Sequence, residues 1–168
     1  MSVQIRPEAP SDADAIARLT TAAFLTAPHT SHTEAFVVNA LRRAGQLTVS
    51  LVAQAGDELV GHVAISPVTV SSGATGWYGL GPISVAPDLQ GQGIGSQLMR
   101  ASLDQLRRLG AAGCVVLGDP GYYGRFGFAA RPGLVLDGVP PEYFQALAFH
   151  GGYPAGSVQY HDAFNATA

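Results

Sequence analysis

"VAPDLQGQGIGSQLMR" (residues 85–100) sets three glycines, Gly91, Gly93 and Gly95, at alternate positions between a short apolar run and a helix-like stretch. Glycine is unfavourable inside helices and strands. Its use where a strand hands over to a helix suggests that something approaches the backbone there. A helix start exposes several N–H groups without internal partners and carries a partial positive charge. Glycines leading into that start remove side chains that would hold an anion away, so amides from about Gly91 to Ser96 are expected to cradle phosphate oxygens. A plain chain reversal would use glycines too, and the glycines alone leave both readings open.

Outward from this turn the pattern is clear on both sides. Residues 94–109 read as a helix, with Ile94, Leu98, Met99, Leu103, Leu106 and Leu109 on one apolar arc and Gly110 as its stop. "WYGLGPISV" (77–85) reads as the strand before it and "GCVVLG" (113–118) as a buried strand after it. "DPGYYGRF" (119–126) is a short helix or turn that Asp119 would cap. Upstream, "VQIRP" (3–7) is a short strand, followed by a helix capped by Ser11 with Ile16, Leu19, Ala23 and Phe24 on one face. Breaker-rich "TAPHTSHT" (26–33) separates it from a second helix, with Thr33 as cap, Phe36, Val37, Ala40 and Leu41 as its stripe and Gly45 as its end. "LTVSLVAQ" (47–54) and "LVGHVAIS" (59–66) flank "AGDE", a hairpin signal. The Pro- and Gly-rich tail is expected to hold strands near 133–136 and 156–160. The resulting order, β-α-α-β-β-β-α-β-α-β-β, predicts a mixed α/β sheet in a single domain over residues 1–168.

Composition narrows the function. The chain has 168 residues, 47% hydrophobic and 12% charged, which fits one globular core and not a disordered chain. No apolar run approaches the roughly 20 residues that span a bilayer, and the first residues lack a signal-peptide pattern, so a cytoplasmic protein with no membrane partner is expected. The formal net charge is -3 and all nine basic residues are arginine. Without a basic stripe, nucleic-acid binding is disfavoured. Without lysine, Schiff-base chemistry and a Walker-type phosphate loop are excluded. Cys114 is the only cysteine, which rules out an internal disulfide, and it reads as a buried strand residue. No metal is expected.

The glycine spacing discriminates between phosphate ligands. A dinucleotide fingerprint needs G-x-G-x-x-G, and here Ser96 stands where the third glycine belongs. "QGQGIG" instead satisfies Q/R-x-x-G-x-G/A through Gln90, Gly93 and Gly95. With "ISVAP" ahead of it, an amphipathic helix behind it and the "Y-x-x-x-G-F" ending Tyr123 to Phe128, the chain resembles the GCN5-related N-acetyltransferase (GNAT) superfamily. "LGPISV" and "GDPGYYGRFGF" resemble its YhbS-like branch of predicted N-acetyltransferases. The resemblance spans nearly the whole chain. It implies a mostly antiparallel twisted sheet with one parallel strand pair that splays apart to admit acetyl-coenzyme A.

The same resemblance implies roles. The pantetheine arm would pair with main chain at Ile83, Ser84 and Val85, and the pyrophosphate would rest on Gln90, Gly91, Gln92, Gly93, Ile94, Gly95 and Ser96. Asp119, Tyr122 and Tyr123 would complete the cofactor contacts. The Val85 amide would stabilise the oxyanion, and Tyr123 would serve as general acid to the leaving thiolate. The acceptor is taken as a primary amine on a small molecule or a protein, and its base is the open point. Glu34 is one candidate. His29 and His32 lie near it but read as a solvated loop, and His62 reads as structural. Two departures stand out: Val116 occupies the slot where most family members carry Asn, and the tail "FHGGYPAGSVQYHDAF" leaves the acceptor wall undefined. A domain that binds acyl-coenzyme A as a sensor without turnover is the competing reading. The expected assembly is a monomer or homodimer.

Overall fold

The computed structural model describes residues 2–28 and 30–168. Its centre is a mixed sheet of eight strands with helices on both faces. Strand β1 (Gln4–Pro7) leads through a 3-10 turn to helices α1 (Ala13–Phe24) and α2 (Glu34–Arg43). Strands β2 (Val49–Ala55), β3 (Glu58–Val70) and β4 (Trp77–Val85) follow, then helix α3 (Ile94–Arg108) and strand β5 (Gly113–Leu117). The chain ends with the short helix α4 (Pro120–Tyr123) and strands β6 (Leu134–Val135), β7 (Phe144–Ala148) and β8 (Gly156–Tyr160). The main path runs β1-β2-β3-β4-β5-β7. Every neighbour on it is antiparallel except β4 with β5. Strand β8 pairs with the far end of β3, and β6 pairs with β8.

Periodicity explains most of this order, and its exceptions lie where a helix ends or another element sets the packing. Helix α3 buries Ile94, Leu98, Met99, Leu103 and Leu106 against β2 and β3 as expected. Leu109, the last member of the expected arc, is instead 60% exposed, because the helix ends at Arg108 and Leu109 falls on the cap. Ser11 does not cap α1. It lies in the 3-10 turn Pro10–Asp12, and Asp12 fills the terminal role by accepting from the Ala9 N–H at 2.7 Å and from Arg6 at 2.8 Å. On α2 the buried stripe is Val37, Val38 and Leu41, with Phe36 38% exposed. The tail contains one strand more than the sequence indicates: β7 runs antiparallel along the outer edge of β5, from Gly113–Ala148 to Leu117–Phe144.

The parallel pair sets up the site. β4 and β5 stay in register from Trp77–Gly113 to Leu80–Val116 and then part. At that level β4 takes three steps, from Leu80 to Ile83, while β3 takes two, from Ile65 to Val63. This bulge inserts one residue and shifts the side-chain phase of the strand. Tyr78 and Leu80 therefore face the α3 core, and beyond the bulge Ile83 and Val85 do so as well. Pro82, within the bulge, has no N–H to give a ladder.

Where the two strands are still joined, Gly113 lies under the Trp77 ring, and a Cβ there would stand 2.8 Å from the Leu147 carbonyl oxygen. Gly113→Ala should cost about 1–3 kcal/mol through overpacking. Urea unfolding checks it, and an unchanged midpoint would show that Trp77 can yield.

Candidate active site

The parting of β4 from β5 leaves main chain unpaired. The Ala86 N–H donates to the Val60 carbonyl across the β3 edge at 2.8 Å. Alternate residues of an antiparallel ladder point the same way, so Ser84 turns its N–H and C=O to β3 as well. Ile83 and Val85 turn theirs to the open side, towards the gap. The Gln90 side chain supports this orientation by donating from Nε2 to the Val85 carbonyl at 3.2 Å. The Val85 and Ile83 amides remain for a ligand.

One cleft of about 360 Å³ joins this edge to the start of α3. Ile83, Val85, Gln90, Gly91, Gly93, Ile94, Gly95, Ser96 and Tyr122 line it, together with Leu89 and Arg125. The first intrahelical bond of α3 is Gln97 N–H to the Gly93 carbonyl at 3.1 Å, so the amides of Ile94, Gly95 and Ser96 are left over, as the first amides of a helix are. The three glycines do two jobs. Gly91 and Gly93 hold φ of 79° and 86°, a left-handed backbone that other residues adopt at a cost. Gly95 has ordinary helical geometry, but a Cβ there would lie 2.9 Å from the Tyr122 hydroxyl, inside the cleft.

Several residues singled out in the sequence lie elsewhere. Gln92 is exposed, and Ser84 is buried on the sheet face away from α3. Asp119 caps α4, accepting from the Gly121 N–H at 3.0 Å, and does not line the cleft. Tyr123 sits just past β5, its ring against Gly118 and 6.2 Å from the Phe128 ring. Burial, with smaller contributions from Tyr122 and Asp119, pushes its phenol up to about 12. The Glu34 carboxylate is held by its own loop, accepting from Thr30 Oγ1 at 2.7 Å and from the Ser31 N–H at 3.2 Å, and it does not reach this cleft. His32 is exposed, and His29 lies outside the described residues. Among the described residues no cluster of His, Cys, Asp or Glu could hold a metal ion, and no helix is long and apolar enough to cross a membrane. Burial pushes the Cys114 thiol far up, consistent with an inert core residue.

Arg125 was not foreseen. Its guanidinium stacks on Tyr122 at 4.7 Å from the ring centroid, and one nitrogen points to Ser96 Oγ at 3.5 Å. Among the described residues that line the cleft, it alone carries a positively charged side chain. The only sequence signal was its place inside the Tyr123 to Phe128 motif, at a position the motif leaves open. The tail contributes Tyr160, whose ring fills the space a side chain at Gly79 would take.

The comparisons with known proteins agree with this geometry. Residues 13–128 match the sequence model of the Acetyltransferase (GNAT) family. The chain is 37% identical over 168 residues to the uncharacterized N-acetyltransferase YhbS of Escherichia coli K12, covering 96% of this chain and 98% of that one. A crystal structure of YhbS from E. coli in complex with CoA superposes with a TM-score of 0.88 at 36% identity, covering 99% of this chain and 93% of that chain. A GNAT family acetyltransferase from Brucella melitensis, in complex with acetyl-CoA, superposes with a TM-score of 0.87 at 48% identity over 97% and 98% of the two chains. A mixed sheet with one parted parallel pair, a glycine turn at its mouth and these matches along nearly its full length place the chain in the GNAT family of acetyltransferases.

Proposed function

We propose that this chain transfers an acetyl group from acetyl-coenzyme A to a primary amine by direct attack in a ternary complex. The observation that carries the reading is the convergence of two donor sets on one cleft: the free β4 amides at Ile83 and Val85, and the unpartnered α3 amides at Ile94, Gly95 and Ser96. The first set suits an extended amide-bearing arm added as a strand. The second suits a diphosphate, with the Arg125 guanidinium on its rim for a charge-assisted contact. When bound, acetyl-coenzyme A supplies an activated thioester. The acyl oxygen, placed at the β4 edge, would meet the Val85 or Ile83 N–H as negative charge develops on it. Tyr123 stays protonated at neutral pH because its phenol is pushed up to about 12. A group that weak is a hydrogen-bond donor to the departing sulfur more readily than a full proton source, since a thiolate of pKa about 8.5 is the weaker base.

Among the described residues no carboxylate or histidine lines the cleft, and that observation favours the second reading, a sensor that binds acyl-coenzyme A without turnover. Calorimetry with coenzyme A and a thiol-release assay over a panel of amines decide between them. Binding with turnover supports the transferase, binding with no turnover supports the sensor, and no binding overturns both.

Two substitutions test the parts. Gly95→Ala keeps an ordinary helical backbone and puts a methyl group into the cleft beside Tyr122. It should raise KM for acetyl-coenzyme A about tenfold while thermal stability holds; an unchanged KM removes this turn from the binding site. Tyr123→Phe should lower kcat roughly 10- to 100-fold with little change in KM, the loss expected for one hydrogen bond to a charged group. The loss should persist across pH 6 to 9, because a phenol at about 12 does not titrate there. Equal rates for the two proteins would remove Tyr123 from the reaction.

A further inference from the structure

The sheet face opposite α3 carries polar side chains that run from Glu8, just past β1, across β2, β3 and β4. At its outer end Arg42 of α2 donates two hydrogen bonds to Glu8, each of 2.9 Å. Ser50 on β2 donates a short hydrogen bond to Glu8 Oε1, and Ser50 Oγ lies 2.8 Å from Nε2 of His62 on β3. His62 is fully buried, and among the described residues its Nδ1 has no partner. Its register partner across the next pair of strands is Ser84 on β4, also buried, whose Oγ has no partner either. Ser84 sits between Ile83 and Val85, the two residues whose amides face the cleft. Ser66, on the same face of β3, is a further buried hydroxyl without a partner.

The hydrogen-bond directions fix the tautomer. The Glu8 carboxylate can only accept, so the Ser50 proton points to it. Ser50 oxygen must then accept from His62 Nε2–H, and Nδ1 is left as a bare, buried lone pair facing away from the surface. Leaving such groups unpaired costs stability, and apolar residues would fill the same space without that cost.

We propose that Ser84, His62, Ser50 and Glu8 form a proton relay that takes up the proton of the acceptor ammonium, in the cleft that the preceding subsection reads as the transferase site. The cofactor cleft opens on the α3 face, and the relay requires the acceptor to reach the parted strands from the other face, where Ser84 lies buried. As the ammonium proton passes by way of Ser84 to His62 Nδ1, the Nε2 proton moves to Ser50 Oγ and the Ser50 proton moves to Glu8 Oε1. The freed nitrogen lone pair forms the new C–N bond and the C–S bond breaks. The reverse passage returns this proton to the departing thiolate and restores the starting tautomer. The ammonium loses a second proton to solvent as the amide forms, which closes the balance. Glu8 borders a surface hollow with Arg42, Gly45, Leu47 and Ser50. The charged groups acting on His62 are Glu8 and Arg42. Burial, opposed by Glu8 and aided by Arg42, brings the imidazole down to about 4, so it passes protons on without storing them.

Two measurements test the relay. In the free protein, the imidazole 15N spectrum should show His62 neutral at pH 6 with its proton on Nε2; a proton on Nδ1 overturns the relay without touching the transferase reading. Thiol release from acetyl-coenzyme A is then compared with ethylamine, an ammonium at neutral pH, and with 2,2,2-trifluoroethylamine, which is largely unprotonated there. His62→Gln, Ser50→Ala and Glu8→Gln should lower the ethylamine to trifluoroethylamine rate ratio about 100-fold at pH 7, within the range of general base catalysis. Coenzyme A affinity by calorimetry should stay unchanged. Ser50→Ala deletes only a hydroxyl and keeps the test valid if the other two variants misfold. An unchanged ratio, with both rates falling together, shows a structural network and overturns the relay alone. A wild-type protein that binds acetyl-coenzyme A but releases no thiol with either amine overturns the transferase reading and the relay with it.

Discussion

The structure turns on the point where β4 lets go of β5. Both strands are secured on their outer edges, β4 by the long antiparallel ladder to β3 and β5 by β7. They can therefore separate past Leu80 and Val116 without fraying the sheet. The bulge over Gly81 and Pro82 makes the separation definite, because it shifts the phase of β4 and directs the backbone of Ile83 and Val85 into the gap. Unpaired main-chain groups in a sheet interior are costly unless something satisfies them. A ligand that adds itself as a short strand is the simplest way to satisfy these.

Legibility in the sequence followed the range of the forces involved. The glycine turn, α3 and the strands beside it were legible because their determinants are local: a backbone that needs Gly91 and Gly93, and an apolar arc with the helical period. Errors arose where a partner outside the element itself decides. Asp12 displaced Ser11 as the terminal group because Arg6 lies across from it. Val38 replaced Phe36 in the core because α2 packs through it against Ile16 of α1 and Val52 of β2. Strand β7 was missed because "FQALA" has the length of a strand but takes its register from β5, far away in the sequence. Arg125 was missed for the same reason: its partner Ser96 is 29 residues away. Of the expected site, the turn and the β4 edge came together, whereas Glu34 was claimed by its own loop.

His62 shows how a sequence reading can be right about location and silent about consequence. A histidine in mid-strand reads as structural, and it is indeed buried in the sheet. Its surroundings are the unusual part. A sheet core gains most from apolar side chains, yet here Glu8, just past β1, is followed by Ser50, His62 and Ser84 on three adjacent strands. A buried polar group completed on all sides adds specificity, whereas a half-completed one mostly adds cost. The line is completed at the Arg42 end and open at the Ser84 end, so the unmet hydrogen-bonding capacity lies towards the parted strands.

The electrostatics of the cleft follow from the same economy. A chain with net charge -3 and no lysine is an unexpected host for a polyanion. The donors that line the α3 start are backbone amides, and their number and direction are fixed by the fold. They add no formal charge, so binding need not draw on a long-range positive field. Arg125 adds a charge at one place only, and the stacking on Tyr122 holds its guanidinium plane at the rim. Recognition of this kind depends on the shape of the turn more than on the sum of charges. In a chain of net charge -3, a turn of this shape would supply the proposed diphosphate contact with partial charges at fixed positions and no basic patch.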